Sequence, residues 1–244
     1  MKLSIFYSTQ VALIFLILGL VSCQENPTLQ ESLFDSVNPA ESGNNGRDSK
    51  TIIIDVTNPK TGKAWMDRNL GAKRAATSSY DTEAYGDLYQ WGRGIDGHQK
   101  RNSSTVMKTS KLNKPGHNKF ILNSCCTFDW RDPQINTLWQ GLNGTNNPCP
   151  LGYRIPSEIE WNNERQTWGS NNLNGAFTST LKLAVGGQRD NNSGLLYSVG
   201  NSGSYWSSTI DGENTKGLAI GTTNSSIISY RRGRGLSVRC IKDS

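Results

Sequence analysis

A chain of 244 residues with a formal net charge of +6 and 34% hydrophobic residues is long enough for one domain with a real core, and its positive charge is too modest for a nucleic-acid-binding stripe. The 25 glycines, 7 tryptophans and 8 tyrosines, set against sparse aliphatic residues, favour short strands, many turns and aromatic packing over long helices. No repeat at a solenoid period is evident.

The chain opens with Met1-Lys2 and then runs without charge from Val11 to Val21, the positive n-region and apolar h-region of a signal peptide over residues 1–22. That run is too short for a spanning helix, which needs about 20 apolar residues. It ends in Leu20-Val21-Ser22-Cys23, which resembles the lipobox cut by lipoprotein signal peptidase. The resemblance implies cleavage before Cys23, a thioether-linked diacylglycerol on its sulfur and usually a further acyl chain on the new amino group. Two or three such chains hold firmly at roughly 0.8 kcal/mol per buried methylene. The expected first partner is therefore a lipid bilayer, through acylated Cys23. The competing reading is an ordinary secretory peptide followed by a chance cysteine, although no A-x-A-like site stands nearby.

Residues 23–50 comprise the lipidated cysteine and a stretch rich in Asn, Ser, Gly, Pro and Glu with no hydrophobic period, a tether spanning on the order of 30 Å. Gln24, where an aspartate would signal inner-membrane retention by analogy with enteric bacteria, favours the outer membrane. Glu25 loosely resembles the acidic surface-export signals of Bacteroidota lipoproteins, so the cell surface is expected, with the periplasmic face as the alternative.

The domain occupies residues 51–244. Thr51 to Val56 and Lys63 to Arg68, separated by the turn cluster Asn58-Pro-Lys-Thr-Gly62, predict a first hairpin. Tyr80 to Trp91 is a helix candidate weakened by Gly86. Gly92 to Asn147 is polar and irregular, a long insertion of the kind that often carries binding. Ser157 and Glu160 form a capping box directly after Pro156 and predict a helix from about Glu158 to Thr167. Beyond it, segments at Leu181–Val185, Gly194–Ser198, Gly203–Thr209, Gly217–Ile220, Ser226–Tyr230 and Gly235–Ile241 predict an antiparallel meander.

Four cysteines follow Cys23, and an oxidising envelope favours disulfides. Three pairings are possible. Neighbouring Cα atoms lie about 3.8 Å apart, short of the usual disulfide separation, so a Cys125–Cys126 bridge is geometrically unusual. Cys149 with Cys240 is the expected pair, tying the chain end to its middle. For Cys125 and Cys126 a vicinal bridge, free thiols and cross-pairing remain open.

In this order the landmarks Trp65-Met-Asp-Arg-Asn-Leu-Gly-Ala72, Gly86-Asp-Leu-Tyr-Gln-Trp-Gly-Arg93, Asn147-Pro-Cys-Pro-Leu-Gly-Tyr-Arg-Ile-Pro-Ser-Glu-Ile-Glu-Trp161, Tyr205-Trp-Ser-Ser208 and Ser237-Val-Arg-Cys-Ile-Lys-Asp243 resemble the Fibrobacter succinogenes major paralogous domain, from about Ile52 to Asp243. Tyr153 and Ser157 replace the more usual Trp and Thr. That family is similar, more remotely, to C-type lectin-like domains and formylglycine-generating enzymes. The resemblance implies an α+β, C-type lectin-like fold: short antiparallel strands, one or two helices, long loops and chain ends brought together.

It carries over little chemistry, because function lives in the site and not the fold. The sugar-binding triplets of calcium-dependent lectins are missing, and the oxidase's late cysteine pair has no counterpart, since Cys125 and Cys126 precede the helix. Neither His98 nor His117 falls in a zinc or nucleophile motif, and Glu158 and Glu160 are explained by helix capping rather than by paired acid catalysis. Trp161 and Trp206 read as core. The expectation is a noncatalytic lipoprotein with no cofactor, no metal and no nucleic-acid partner. Its loops are expected to bind an extracellular glycan or an envelope protein, with Arg189, Asn191, Asn192, Arg231 and Arg232 as candidate contacts at strand turns. The alternative is an accessory subunit of an envelope assembly. An exposed planar row of aromatics argues for carbohydrate, and their burial argues for the structural reading.

Overall fold

The computed structural model describes residues 50–125 and 127–243, so the signal peptide, Cys23, nearly all of the tether and Cys126 lie outside the described residues. The described body mixes α and β, with four small sheets, two short helices and one 3-10 turn joined by long irregular segments.

The first sheet runs Asp55–Thr57, Ala64–Met66, Ile241–Lys242, Tyr153–Arg154, all antiparallel, so it gathers the start, middle and end of the domain. The hairpin that opens it turns through Gly62 at φ 68°, with the Gly62 amide donating to the Asn58 carbonyl. Beside this sheet Cys149 and Cys240 are disulfide-bonded as expected, with Cα atoms 5.9 Å apart across 91 residues of sequence. A second sheet is the meander Gly203–Asp211, Asn214–Ile220, Ser225–Arg231. A third orders Tyr89–Gln90, Gly235–Leu236, Gln188–Arg189 and Leu196–Tyr197. The fourth is a parallel pair, Thr105–Val106 with Phe120–Ile121, inside the long insertion.

The helix Glu158–Gln166 begins where the capping box places it: Ser157 Oγ accepts from the Glu160 amide while the Glu160 carboxylate accepts from the Ser157 amide. A second helix, Leu173–Thr178, is capped by the Asn172 side chain on the Gly175 amide and was not foreseen.

Four expectations need correction. Tyr80–Trp91 is not an α-helix but a 3-10 turn, Thr82–Ala84, followed by strand Tyr89–Gln90. Gly86 interrupts it at φ 68°, where a Cβ would lie 2.4 Å from the Leu70 carbonyl oxygen. Leu181–Val185 buries its leucines but forms no strand. Its amides bond instead to the Ala176 and Ser79 carbonyls and the Tyr205 hydroxyl. Of the six segments read as one meander only three form it, because Leu181–Val185 forms no strand, Gly235–Ile241 divides between the first and third sheets, and Leu196–Tyr197 belongs to the third. The first strand is confined to Asp55–Thr57, leaving Ile52, Ile53 and Ile54 exposed before it.

With so little sheet, tryptophan stitches the core. Trp65, Trp91, Trp130, Trp139, Trp161 and Trp206 are all buried. Five of their indole N–H groups donate to main-chain carbonyls of other segments: Trp91 to Ser207, Trp130 to Trp91, Trp139 to Asn146, Trp161 to Trp206 and Trp206 to Tyr89, at 2.6–2.9 Å. A side chain that fills space and also satisfies a buried carbonyl replaces part of a missing ladder.

Candidate functional site

The hairpin Gln188–Arg189 to Leu196–Tyr197 holds three of the five predicted contacts. Its turn is closed by Asp190, whose carboxylate accepts from the Asn192 and Ser193 amides and the Ser193 hydroxyl. Burial works against the Asp190 charge, but those bonds win and hold its carboxyl below the usual range. Asn192 stands exposed at the tip.

Arg189 and Asn191 point the other way. The Arg189 guanidinium lies 4.3 Å from the Phe120 ring centre and donates to the carbonyls of Gly194, Lys100 and Ser103 and to the Ser103 hydroxyl. Asn191 is fully buried and donates to the Asn123 carbonyl. Arg232 is also fully buried, beneath Trp91, with one bond to the Gly212 carbonyl. Arg231 is half-buried over the Phe128 ring. Asn191 and Arg231 thus meet the segment around Asn123–Asp129, at Asn123 and Phe128, but three of the five side chains serve the interior. Irregular backbone leaves carbonyls without ladder partners, and buried Arg and Asn donors supply them.

A groove of about 720 Å³ lies where the described body begins and is lined by Lys50, Ile52, Lys73, Asp87, Asp96 and Lys100 among others. Its acids are engaged. Lys100 reaches Asp87 at 2.7 Å. Asp96 takes Arg93 at 2.6 Å and the His98 ring at 2.6 Å. Burial raises the Asp96 carboxyl, yet the His98 bond and the Arg93 cation hold it at about 2.

Asp96 and His98 have the outline of an acid–imidazole dyad but not its chemistry. His98 Nε2 accepts the Gln90 amide at 3.1 Å, so the proton sits on Nδ1, facing Asp96, and neither nitrogen is open to a substrate. Burial first, and the Arg93 cation second, drive the imidazole down to about 4. Glu160 is occupied by Arg154 as well as by the cap. Among the described residues no group of three or more His, Cys, Asp or Glu side chains is placed to hold a metal ion.

Sequence reasoning missed the exposed edge of the same hairpin. Leu195 is 69% exposed, and Leu196 and Val199 are each 40% exposed, along the outermost strand of the third sheet. The signal in Gly194-Leu-Leu-Tyr was partial: adjacent leucines in a strand point to opposite faces, which predicts one of them in solvent, whereas Leu195 precedes the strand Leu196–Tyr197 and both are exposed. The chain matches no family model, no curated protein and no solved structure.

Proposed function

We propose that the chain is a noncatalytic, lipid-anchored envelope protein at the outer membrane surface, with a C-type lectin-like body of the Fibrobacter succinogenes major paralogous domain kind that engages a protein partner rather than a sugar. The family reading is supported by the way its separate motifs interlock. Trp65 and Trp161, from two of them, pack at a 37° tilt with centroids 4.8 Å apart, and Cys149 is bridged to Cys240 of the last. Arg239 of that last motif is buried and donates to Asn69, Met66 and Leu181.

The observation that carries the choice of partner is the burial of the aromatics. Six tryptophans are sealed inside, Trp168 is partly covered, and Tyr80 is the one large exposed aromatic among the described residues. A sugar-stacking surface needs planar rings in the open. What stands in the open is aliphatic: Leu195, Leu196 and Val199 beside Asn192, an apolar edge with a polar rim suited to another polypeptide.

Two measurements test this. Palmitate should label the full chain and not a Cys23→Ala variant. Affinity capture from solubilised envelopes should retain a protein that Leu195→Glu/Leu196→Glu releases, with fixed stoichiometry marking an assembly subunit and exchange marking a receptor. A glycan-array signal without protein capture would return the assignment to carbohydrate.

A further inference from the structure

Residues 97–128 carry six of the 26 basic side chains and none of the 20 acidic ones, so the rest of the chain is neutral overall. Two of the six are engaged: Lys100 pairs with Asp87, and Arg101 donates to the Gly86 and Gly186 carbonyls. Lys108, Lys111, Lys114 and Lys119 are exposed. Among the described residues Lys108, Lys114 and Lys119 join no ion pair. Two apolar side chains stand among them, Met107 at 77% and Leu112 at 66% exposure.

This loop is held in shape from beneath. Buried Arg93 donates to the carbonyls of His117 and Lys119, at 3.2 and 3.0 Å. Arg131 donates to the Lys111 carbonyl at 2.8 Å and the Asn113 side chain at 3.0 Å, and Asn146 to the Asn113 carbonyl at 2.7 Å. The backbone is gripped inward while the lysines, Met107 and Leu112 remain in solvent. No acid within the stretch weakens its field.

Cations flanking exposed Met and Leu are the chemistry of a segment that seeks a bilayer interface, where ammonium groups meet headgroup phosphates and the apolar tips enter the acyl boundary. We propose that residues 107–119 dock the body on the anionic phosphate headgroups of the bilayer. The docking rests on the reading of Cys23 as the acylated anchor. It also rests on the tether that the sequence predicts over the 27 residues from Gln24 to Lys50, for which a flexible chain's reach is on the order of 30 Å, so that a weak headgroup affinity acts at high effective concentration on the same surface. A soluble polyanion would answer the lysines alone and leave Met107 and Leu112 unexplained.

The chain from Gln24 onward keeps the whole described body, with its core and disulfide, and lacks the acylation cysteine. Its cosedimentation with vesicles therefore reports the loop, while palmitate labelling of the full chain reports Cys23 separately. It should bind phosphatidylglycerol-containing vesicles, leave pure phosphatidylcholine vesicles unbound, and weaken steeply between about 0.1 M and about 0.5 M salt. Lys108→Glu/Lys114→Glu/Lys119→Glu should lose roughly a hundredfold in affinity, and Met107→Ser/Leu112→Ser should weaken binding at every salt concentration. All five side chains are exposed, and unchanged thermal unfolding certifies the variants. Equal binding to neutral and anionic vesicles, or a triple variant that binds like its parent, overturns the proposal. Capture by inorganic polyphosphate without vesicle binding overturns it in favour of a soluble polyanion.

Discussion

His98 and Asp129 are both shut away from water, and the fold drives each toward its neutral form. Burial and the Arg93 cation hold the imidazole at about 4, below its ordinary 6.5. Burial pushes the Asp129 carboxyl up to about 7 from 3.8, against the pull of the Arg232 guanidinium. Their linkage to folding has opposite sign. Between pH 4 and 6.5 the unfolded chain protonates the imidazole and the folded chain does not, so stability rises with pH by about 1.4 kcal/mol per unit. Over the same window the folded chain keeps the Asp129 proton and the unfolded chain releases it, so stability falls with pH by a similar amount. The two slopes nearly cancel. Asp129→Asn removes one of them and should expose the other: urea unfolding of this variant should show stability dropping as pH falls from 6.5 to 4, by about 3 kcal/mol in all. A variant whose pH profile matches the parent's would place Asp129 in water.

At the scale of elements, the helix Glu158–Gln166 shows what local chemistry determines. Its start is set by Pro156, Ser157 and Glu160 within five residues, and both reciprocal bonds form. Ser157→Ala should therefore cost about 1 kcal/mol of stability, read as a lowered urea midpoint with an unchanged m-value. The first hairpin and three strands of the meander were legible for the same reason: turn residues and alternation act at short range. The Cys149–Cys240 pair was the expected one of three pairings, with the alternatives at Cys125 and Cys126 left open. Elements that depend on distant partners were not legible. Leu181–Val185 has the composition of a strand, but the groups that reach it are the Tyr205 hydroxyl, the Arg239 guanidinium and the Ser79 carbonyl, and none of these contacts is a strand ladder. The site suffered in the same way. Arg189, Asn191 and Arg232 look like surface contacts because they sit at turns, and nothing nearby in sequence says that Ser103, Asn123 and Gly212 will present carbonyls to them. Polar residues in a fold poor in ladders are recruited inward, which only the tertiary structure reveals.

For the molecule as a whole, the disulfide and the first sheet act on the same closure. Ile241 lies between Trp65 and Arg154 in that sheet, so the last strand joins the hairpin at the start to the segment that leads into the capped helix. Cys240 precedes it directly, and Cys149 precedes Tyr153–Arg154 by four residues, so the covalent link and the ladder constrain the same approach of distant segments. Opening the bridge restores to the unfolded chain a loop spanning 91 residues of sequence, worth about 4 to 5 kcal/mol by loop entropy and typically 2 to 4 kcal/mol as measured. The sheet remains in the folded state, so the loss should come without a change of fold. Cys149→Ala/Cys240→Ala should lower the unfolding free energy by about 2 to 4 kcal/mol while keeping the near-ultraviolet signature of the packed tryptophans. Cys149→Ser alone should cost more than the double alanine variant, because both sulfur positions are fully buried and a hydroxyl there joins an unpaired thiol in the core. If the double variant lost its near-ultraviolet signal, the bridge would be organising the aromatic core, and closure by the sheet would be insufficient to hold the body together.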